Sequence, residues 1–161
     1  MTVFVTVGSQ KFQFDRLLKA LDDLVSQGRI TDSLYAQTGY SSYKVKNFPC
    51  TPFLDRDRFD AQMDQADMVI THGGTGVIIN AVKKGKKVIA VPRLARYGEH
   101  VDDHQLQLLD QFSESGLICK WQDCDTLDEA IEMAKHTDYR SYRSNTSALI
   151  DSIDAFIRSS L

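Results

Sequence analysis

Residues 70–105 read ITHGGTGVIINAVKKGKKVIAVPRLARYGEHVDDHQ, and the order of residue types predicts strand, glycine turn, helix, strand, polar loop and helix. Val69, Ile70 and Thr71 close an apolar run, residues 72–76 hold three glycines, and Val77, Ile78, Ala81 and Val82 then recur at helical spacing. A helix that opens near Thr75 leaves its first backbone N–H groups unpaired and presents the positive end of its dipole. Glycines allow that backbone to approach a phosphate closely. The turn is therefore a predicted anion site, and the implied ligand is a nucleotide.

Outward from this stretch, apolar strand candidates alternate with amphipathic helix candidates. Strands are predicted at 3–7, 34–37, 47–53, 68–71, 87–91 and 117–120, where β-branched and aromatic residues cluster. Helices are predicted near 12–26, 56–66, 76–84, 101–115 and 127–135. The first places Phe14, Leu17, Leu18, Leu21, Leu24 and Val25 on one face and meets a stop signal at Gly28. Such alternation predicts a parallel sheet covered on both faces, a single Rossmann-like, doubly wound α/β domain over 1–161. Ligands in such sheets bind beyond the carboxyl ends of the strands. Both glycine-bearing loops, Gly8-Ser9-Gln10 after the first strand and residues 72–76 after the fourth, fall at such ends. At about 145–161, Leu149, Ile150, Ile153, Phe156 and Ile157 form the stripe of an amphipathic helix, which packs on its own sheet or docks on a partner protein.

At 161 residues the chain is long enough for one domain with a real core and too short for two of ordinary size. Its 19 Lys+Arg and 22 Asp+Glu leave a formal net charge of −3, which gives no global sign of a nucleic-acid partner. Lys83, Lys84, Lys86, Lys87, Arg93 and Arg96 form a local basic run without acidic residues. For the four lysines, a solvated helix end that complements the C-terminal dipole is the better reading than a phosphate-rich surface. Cys50, Cys119 and Cys124 are odd in number and lack paired metal-ligand spacing, so neither a disulfide framework nor a zinc site is expected, and a reducing compartment is. The strand-like start lacks a charged n-region, and no apolar stretch approaches a membrane span; the expectation is a cytosolic chain.

Several motifs together resemble the C-terminal domain of family 28 glycosyltransferases: Val5-Thr6-Val7-Gly8-Ser9-Gln10, Phe53-Leu54 before an acidic helix, Ala66-Asp67 leading through a strand to Thr71-His72-Gly73-Gly74-Thr75-Gly76, Lys86-Lys87-Val88, Val91-Pro92 and Asp103-His104-Gln105. The resemblance covers nearly the whole chain. MurG-type enzymes contain this domain as their nucleotide-sugar-binding half. The similarity extends to small subunits of split glycosyltransferases, the dolichol-linked chitobiose synthase subunit and the PssE-type subunit of capsule and exopolysaccharide galactosyltransferases. The run 72–91 with Pro92-Arg93-Leu94 and Tyr97-Gly98-Glu99-His100 resembles the bacterial group more.

The resemblance implies the C-terminal half of a GT-B enzyme, in which the reaction occurs between a donor-binding and an acceptor-binding domain. The acceptor half is then a separate, membrane-anchored subunit that brings this chain to the cytoplasmic face of the membrane, where the acceptor is a saccharide on a polyprenyl diphosphate. The implied activity is inverting transfer of a hexose from a UDP-sugar, with galactose (β-1,4) expected and N-acetylglucosamine (GlcNAc) the alternative. A noncatalytic binding or enhancer subunit is the competing class. No cofactor and no metal are expected, since a helix dipole replaces the divalent cation. Without its partner, a domain built for a cleft is expected to self-associate through exposed apolar surface.

Residue roles follow from chemistry and from the resemblance. His72 opens the glycine turn and is placed to give the donor diphosphate a hydrogen bond or a positive charge, the structural alternative being a histidine that ties loop to strand. Gly73, Gly74, Thr75 and Gly76 form the turn, and Gly8, Ser9 and Gln10 offer backbone, hydroxyl and amide groups to phosphate or sugar. By resemblance, Asn80 stands where many relatives carry a ribose-binding glutamate, Leu54 reads the uracil edge through its main chain, and Asp103 and Gln105 reach the hexose hydroxyls. Helix capping by Asp102 or Asp103 is the competing reading. Glu99, His100 and His104 are the local candidates for a general base, which the family places on the other domain instead.

Overall fold

The computed structural model describes residues 1–121 and 126–143. The expected amphipathic helix at 145–161 and Cys124 lie outside the described residues. The described chain runs β1 (Thr2–Thr6), α1 (Asp15–Ser26), β2 (Ser33–Gln37), β3 (Cys50–Thr51), α2 (Arg56–Gln65), β4 (Met68–His72), α3 (Thr75–Lys83), β5 (Lys87–Val91), a short 3-10 turn (Ala95–Tyr97), α4 (His104–Glu114), β6 (Cys119–Lys120) and α5 (Leu127–His136).

All strand pairs are parallel, in the order β3-β2-β1-β4-β5-β6. The chain builds outward from β1 to β3, then returns to the other side of β1 to lay down β4. That reversal opens a crevice beyond the carboxyl ends of β1 and β4, which pair from Val3 with Met68 to Thr6 with Thr71. The expected doubly wound sheet is thus present, and both glycine loops flank its switch point.

Strand alternation splits the core into two layers. Val3, Val5, Ile70 and Ile89 face α1 and α5 through Leu17, Leu18, Leu21 and Ile131. Phe4, Val69 and Val88 face the other way, onto Met63 of α2, Ile78 of α3 and Leu109 of α4.

Some elements are shorter than the sequence predicts, for local reasons. The expected strand at 47–53 contracts to Cys50–Thr51, because Pro49 and Pro52 supply no ladder N–H. Their carbonyls still accept from Ala36 N (3.1 Å) and Gly39 N (2.8 Å). Helix α1 begins at Asp15 rather than Phe12: the Gln13 side chain accepts from Asp15 N at 2.8 Å and ends the preceding loop. Helix α4 begins at His104 because Asp102 Oδ1 accepts from His104 N at 3.1 Å. Strand β6 is only Cys119–Lys120.

The basic run at 83–98 is consumed by structure. Lys87 Nζ donates to Ala134 O (3.0 Å) and Thr137 O (3.1 Å) and also to Lys135 O, capping the end of α5. Lys84 pairs with Asp64, Lys86 reaches Asp64 O at 2.6 Å, and Lys83 lies over the Tyr142 ring. Arg93 does not face a phosphate-rich surface, since that side chain is wholly buried, whereas Lys83, Lys84 and Arg96 are exposed.

Candidate functional site

The site begins with an uncapped helix. Gly74, the residue before α3, is extended and makes no side-chain cap, and the first turn carries no acidic residue. The first intrahelical bond runs from Ile78 N to Gly74 O (3.2 Å), so the amides of Thr75, Gly76 and Val77 have no intrahelical acceptor. Thr75 and Gly76 are exposed, and a Cβ built on Gly76 would meet nothing within 4 Å. A helix start with free amides, positive dipole and open space above it suits an anion.

Beneath that helix start sits His72, the last residue of β4 and 7% exposed. Its ring fills the gap between the two glycine loops: a Cβ on Gly8 would lie 2.6 Å from Cε1, and one on Gly74 would overlap Nε2. Thr71 Oγ1 donates to Thr6 O at 3.0 Å and lies 3.4 Å from His72 Nδ1. With its own proton committed, that hydroxyl faces Nδ1 as an acceptor, which assigns the imidazole proton to Nδ1 and leaves a lone pair on Nε2. Burial and then the nearby Arg93 charge, with a smaller push from His100, hold the His72 pKa down to about 4, against the Thr6 carbonyl that favours the protonated ring. The ring is neutral near pH 7. In this tautomer Nε2 is an acceptor, and it becomes a donor to a phosphate either by moving the ring proton from Nδ1 to Nε2 or by protonation. The two readings of His72 also merge, because the same ring ties strand to loop.

Around this centre the loops are laced together. Gln105 Oε1 accepts from both Gly73 N and Arg93 N at 3.2 Å each. Two converging donors fix that atom as the oxygen and leave the amide –NH2 as the only group Gln105 can offer a sugar. Gln37, 5% exposed at the end of β2, spans Gly8 O (3.5 Å) and Leu54 N (3.4 Å). Leu54 N–H is thus turned onto Gln37, and reading a base edge with it requires breaking that long contact. Ser9 and Gln10 are exposed on the rim. Asn80 lies one turn along α3 from Gly76, on the same face, and is half-buried.

Other candidate residues have partners within the fold. Asp103 Oδ1 accepts from Ala95 N (2.9 Å), so this exposed carboxylate caps the 3-10 turn, while Asp102 takes the helix-capping task. Hydrogen bonding to His104 N, helped by the two nearby histidines, lowers the Asp102 pKa despite some desolvation. Glu99 is fully buried, its two oxygens held by Arg16 Nε and Nη2 at 2.9 Å each, and Oε2 also accepts from Leu94 N at 3.0 Å. That fork removes it from the candidate bases. His100 is occupied by Asp102 and by the Phe12 ring at 5.1 Å, and His104 is exposed. Sequence reasoning missed Gln37, Arg16 and Arg93. For Gln37 and Arg93 the signal was a polar residue closing or following an apolar strand at its carboxyl end; Arg16, inside α1, carried none.

The glycosyltransferase family 28 C-terminal domain profile matches residues 2–156. The chain belongs to that family. Among curated proteins, this family 28 domain is 26% identical over 130 residues to the human UDP-N-acetylglucosamine transferase subunit ALG13, covering 71% of the chain and 10% of ALG13. It spans about a tenth of that relative's length. Its fold is shared with the solution structure of ALG13 (TM-score 0.57, 16% identity, 94% of each chain) and with Acinetobacter baumannii MurG (TM-score 0.56, 16% identity), where it covers 96% of this chain and 50% of MurG. The family 28 domain is thus equivalent to one half of a GT-B enzyme. No helix among the described residues is long and apolar enough to cross a membrane.

Proposed function

We propose that this family 28 domain is the donor-binding subunit of a two-component inverting glycosyltransferase. It holds a UDP-sugar beyond the carboxyl ends of β1 and β4, and a partner subunit supplies the acceptor and the general base. The observation that carries the reading is the uncapped, exposed start of α3, free of acidic residues and standing directly over His72 at the topological switch point. Amides of Thr75, Gly76 and Val77 cradle the diphosphate and stabilise the charge that develops on departing UDP. Asn80 accepts from the ribose, Leu54 with Gln37 meets the base, and Gln105 –NH2 with Ser9 and Gln10 meets phosphate or hexose.

The partner is a membrane-anchored acceptor subunit that recruits this chain to the cytoplasmic face, and the acceptor is a polyprenyl-diphosphate-linked saccharide of surface-polysaccharide assembly. For the donor sugar, the name of the curated relative favours GlcNAc, and the bacterial-type motifs of this sequence favour galactose. Calorimetric titration with UDP, UDP-galactose and UDP-GlcNAc, on the chain alone and coexpressed with its partner, tests the reading. Saturable binding supports it, and the tighter UDP-sugar names the donor. Absence of binding in both preparations overturns it in favour of a noncatalytic enhancer.

A further inference from the structure

We propose that Arg93 is a positioning residue of this cleft: its guanidinium clasps the loop after β1 to the loop after β5 and so fixes Gly8 against the His72 ring. The assignment of the cleft to a diphosphate is taken from the proposed function; the clasp itself is a matter of geometry.

Arg93 has no exposed surface. Its Nη1 donates to Phe12 O (3.1 Å), Gln13 O (2.9 Å) and Glu99 O (3.2 Å), and its Nη2 donates to Val7 O. Val7 O belongs to the peptide that enters Gly8, a residue held at φ +79°. The Arg93 backbone N–H, through Gln105, also shares an acceptor with Gly73 N on the opposite loop. Arg93 therefore binds the loops after β1 and β5 directly and meets the loop after β4 through Gln105.

Only arginine fits this task. A planar fork serves acceptors in several directions at once, whereas a lysine ammonium is a single point at the end of a flexible stem. Nor does the arrangement serve stability alone. Arg93 Nε is buried without a partner among the described residues, and the nearest carboxylate, Glu99, spends both oxygens on Arg16. A buried charge held by carbonyls, by the Phe14 ring at 4.8 Å and by a Glu99 carboxylate shared with Arg16 still costs desolvation that an apolar side chain of similar volume does not. What it supplies is a fixed loop and a fixed positive charge behind His72. The charged groups that act on the ring are Arg93 and His100, both from the loop after β5. The loop after β1 brings only exposed Lys11, and the first turn of α3 brings none.

The test compares Arg93→Lys, Arg93→Met and Glu99→Gln by UDP titration, thermal unfolding, amide exchange over residues 8–13 and NMR titration of the His72 ring. Arg93→Lys keeps the charge and loses the fork. It is expected to weaken UDP binding roughly tenfold, to speed exchange over 8–13 and to leave the His72 midpoint in place. Arg93→Met is expected to weaken binding as much and to raise that midpoint. Glu99→Gln loosens the same outer loop but leaves the His72 midpoint and exchange at Gly8 unchanged. If Arg93→Lys melts earlier yet binds UDP within twofold of wild type with unchanged exchange over 8–13, Arg93 is a core residue only and the proposal is wrong. If the wild-type protein does not bind UDP even with its partner, the diphosphate reading fails, and exchange over 8–13 in Arg93→Lys still decides the clasp.

Discussion

The imidazole of His72 occupies the space in which Gly8 would carry a side chain: a Cβ there would stand 2.6 Å from Cε1. Gly8 also sits at φ +79°, where an L side chain is strained. Gly8→Ala is therefore expected to cost about 1–2 kcal/mol for the backbone and about 1–3 kcal/mol for the overlap. In a His72→Ala background the second cost disappears while the first remains. Urea unfolding of both single variants and the double variant reads the difference as a coupling energy of at least about 1 kcal/mol. Additive effects would mean that the ring moves aside without penalty.

Stability is expected to fall on mild acidification through His72. The group titrates at about 4 in the fold and near 6.5 when unfolded, so between those values the unfolded chain binds the extra proton. The contribution is complete above pH 6.5, shrinks as pH falls and is gone below about pH 4. Burial, the largest cause, makes it on the order of 3 kcal/mol across that window. Chemical denaturation at pH 7.5 and 4.5 measures it, and His72→Asn should flatten the slope. An equally steep slope in that variant would assign the acid sensitivity to other groups.

The neutral ring is also expected to link nucleotide binding to proton uptake. With the ring proton directed toward Thr71, Nε2 donates to a phosphate either after a tautomer shift, which takes up no proton, or as imidazolium. A diphosphate favours that form and raises the pKa, so the complex holds more protons than the free protein, and affinity should strengthen as pH falls from 7.5 toward 6. Protonation of UDP itself acts oppositely and is common to all variants. Titrations in buffers of different ionisation enthalpy should show proton uptake in wild type beyond that in His72→Asn. Equal uptake in both would mean that His72 takes up no proton when the nucleotide binds.

What was legible in the sequence follows from range. The glycine turn, the apolar strands and the helical stripes are local patterns, so the doubly wound sheet and the carboxyl-edge location of Gly8 and residues 72–76 could be read directly. Helix starts were misplaced where a single side chain decides them, Gln13 before α1 and Asp102 before α4. The clasp was illegible because its partners are remote: Arg93 reaches Val7 across 86 residues, and Glu99 meets Arg16 across 83. Nothing near Glu99 in sequence distinguishes a buried ion-pair partner from a catalytic carboxylate, and nothing near Gln37 foretells its contact with Leu54.

Asn80 yields the sharpest test of nucleotide orientation. It shares a helix face with Gly76, above which space is open, so a diphosphate seated on the start of α3 brings its ribose toward this side chain. A neutral amide accepts one hydroxyl hydrogen bond more weakly than a carboxylate would, a difference of about 1 kcal/mol. Asn80→Glu is then expected to tighten UDP binding several-fold, and Asn80→Ala to weaken it by a similar factor. The substitution should act on the sugar alone. The preference of the wild type for UDP over 2′-deoxy-UDP should vanish in Asn80→Ala, while inorganic diphosphate, which has no ribose, should bind both proteins equally. If Asn80→Glu instead weakens UDP and diphosphate alike, the added charge faces the phosphates, and the nucleotide runs across the start of α3 in another direction.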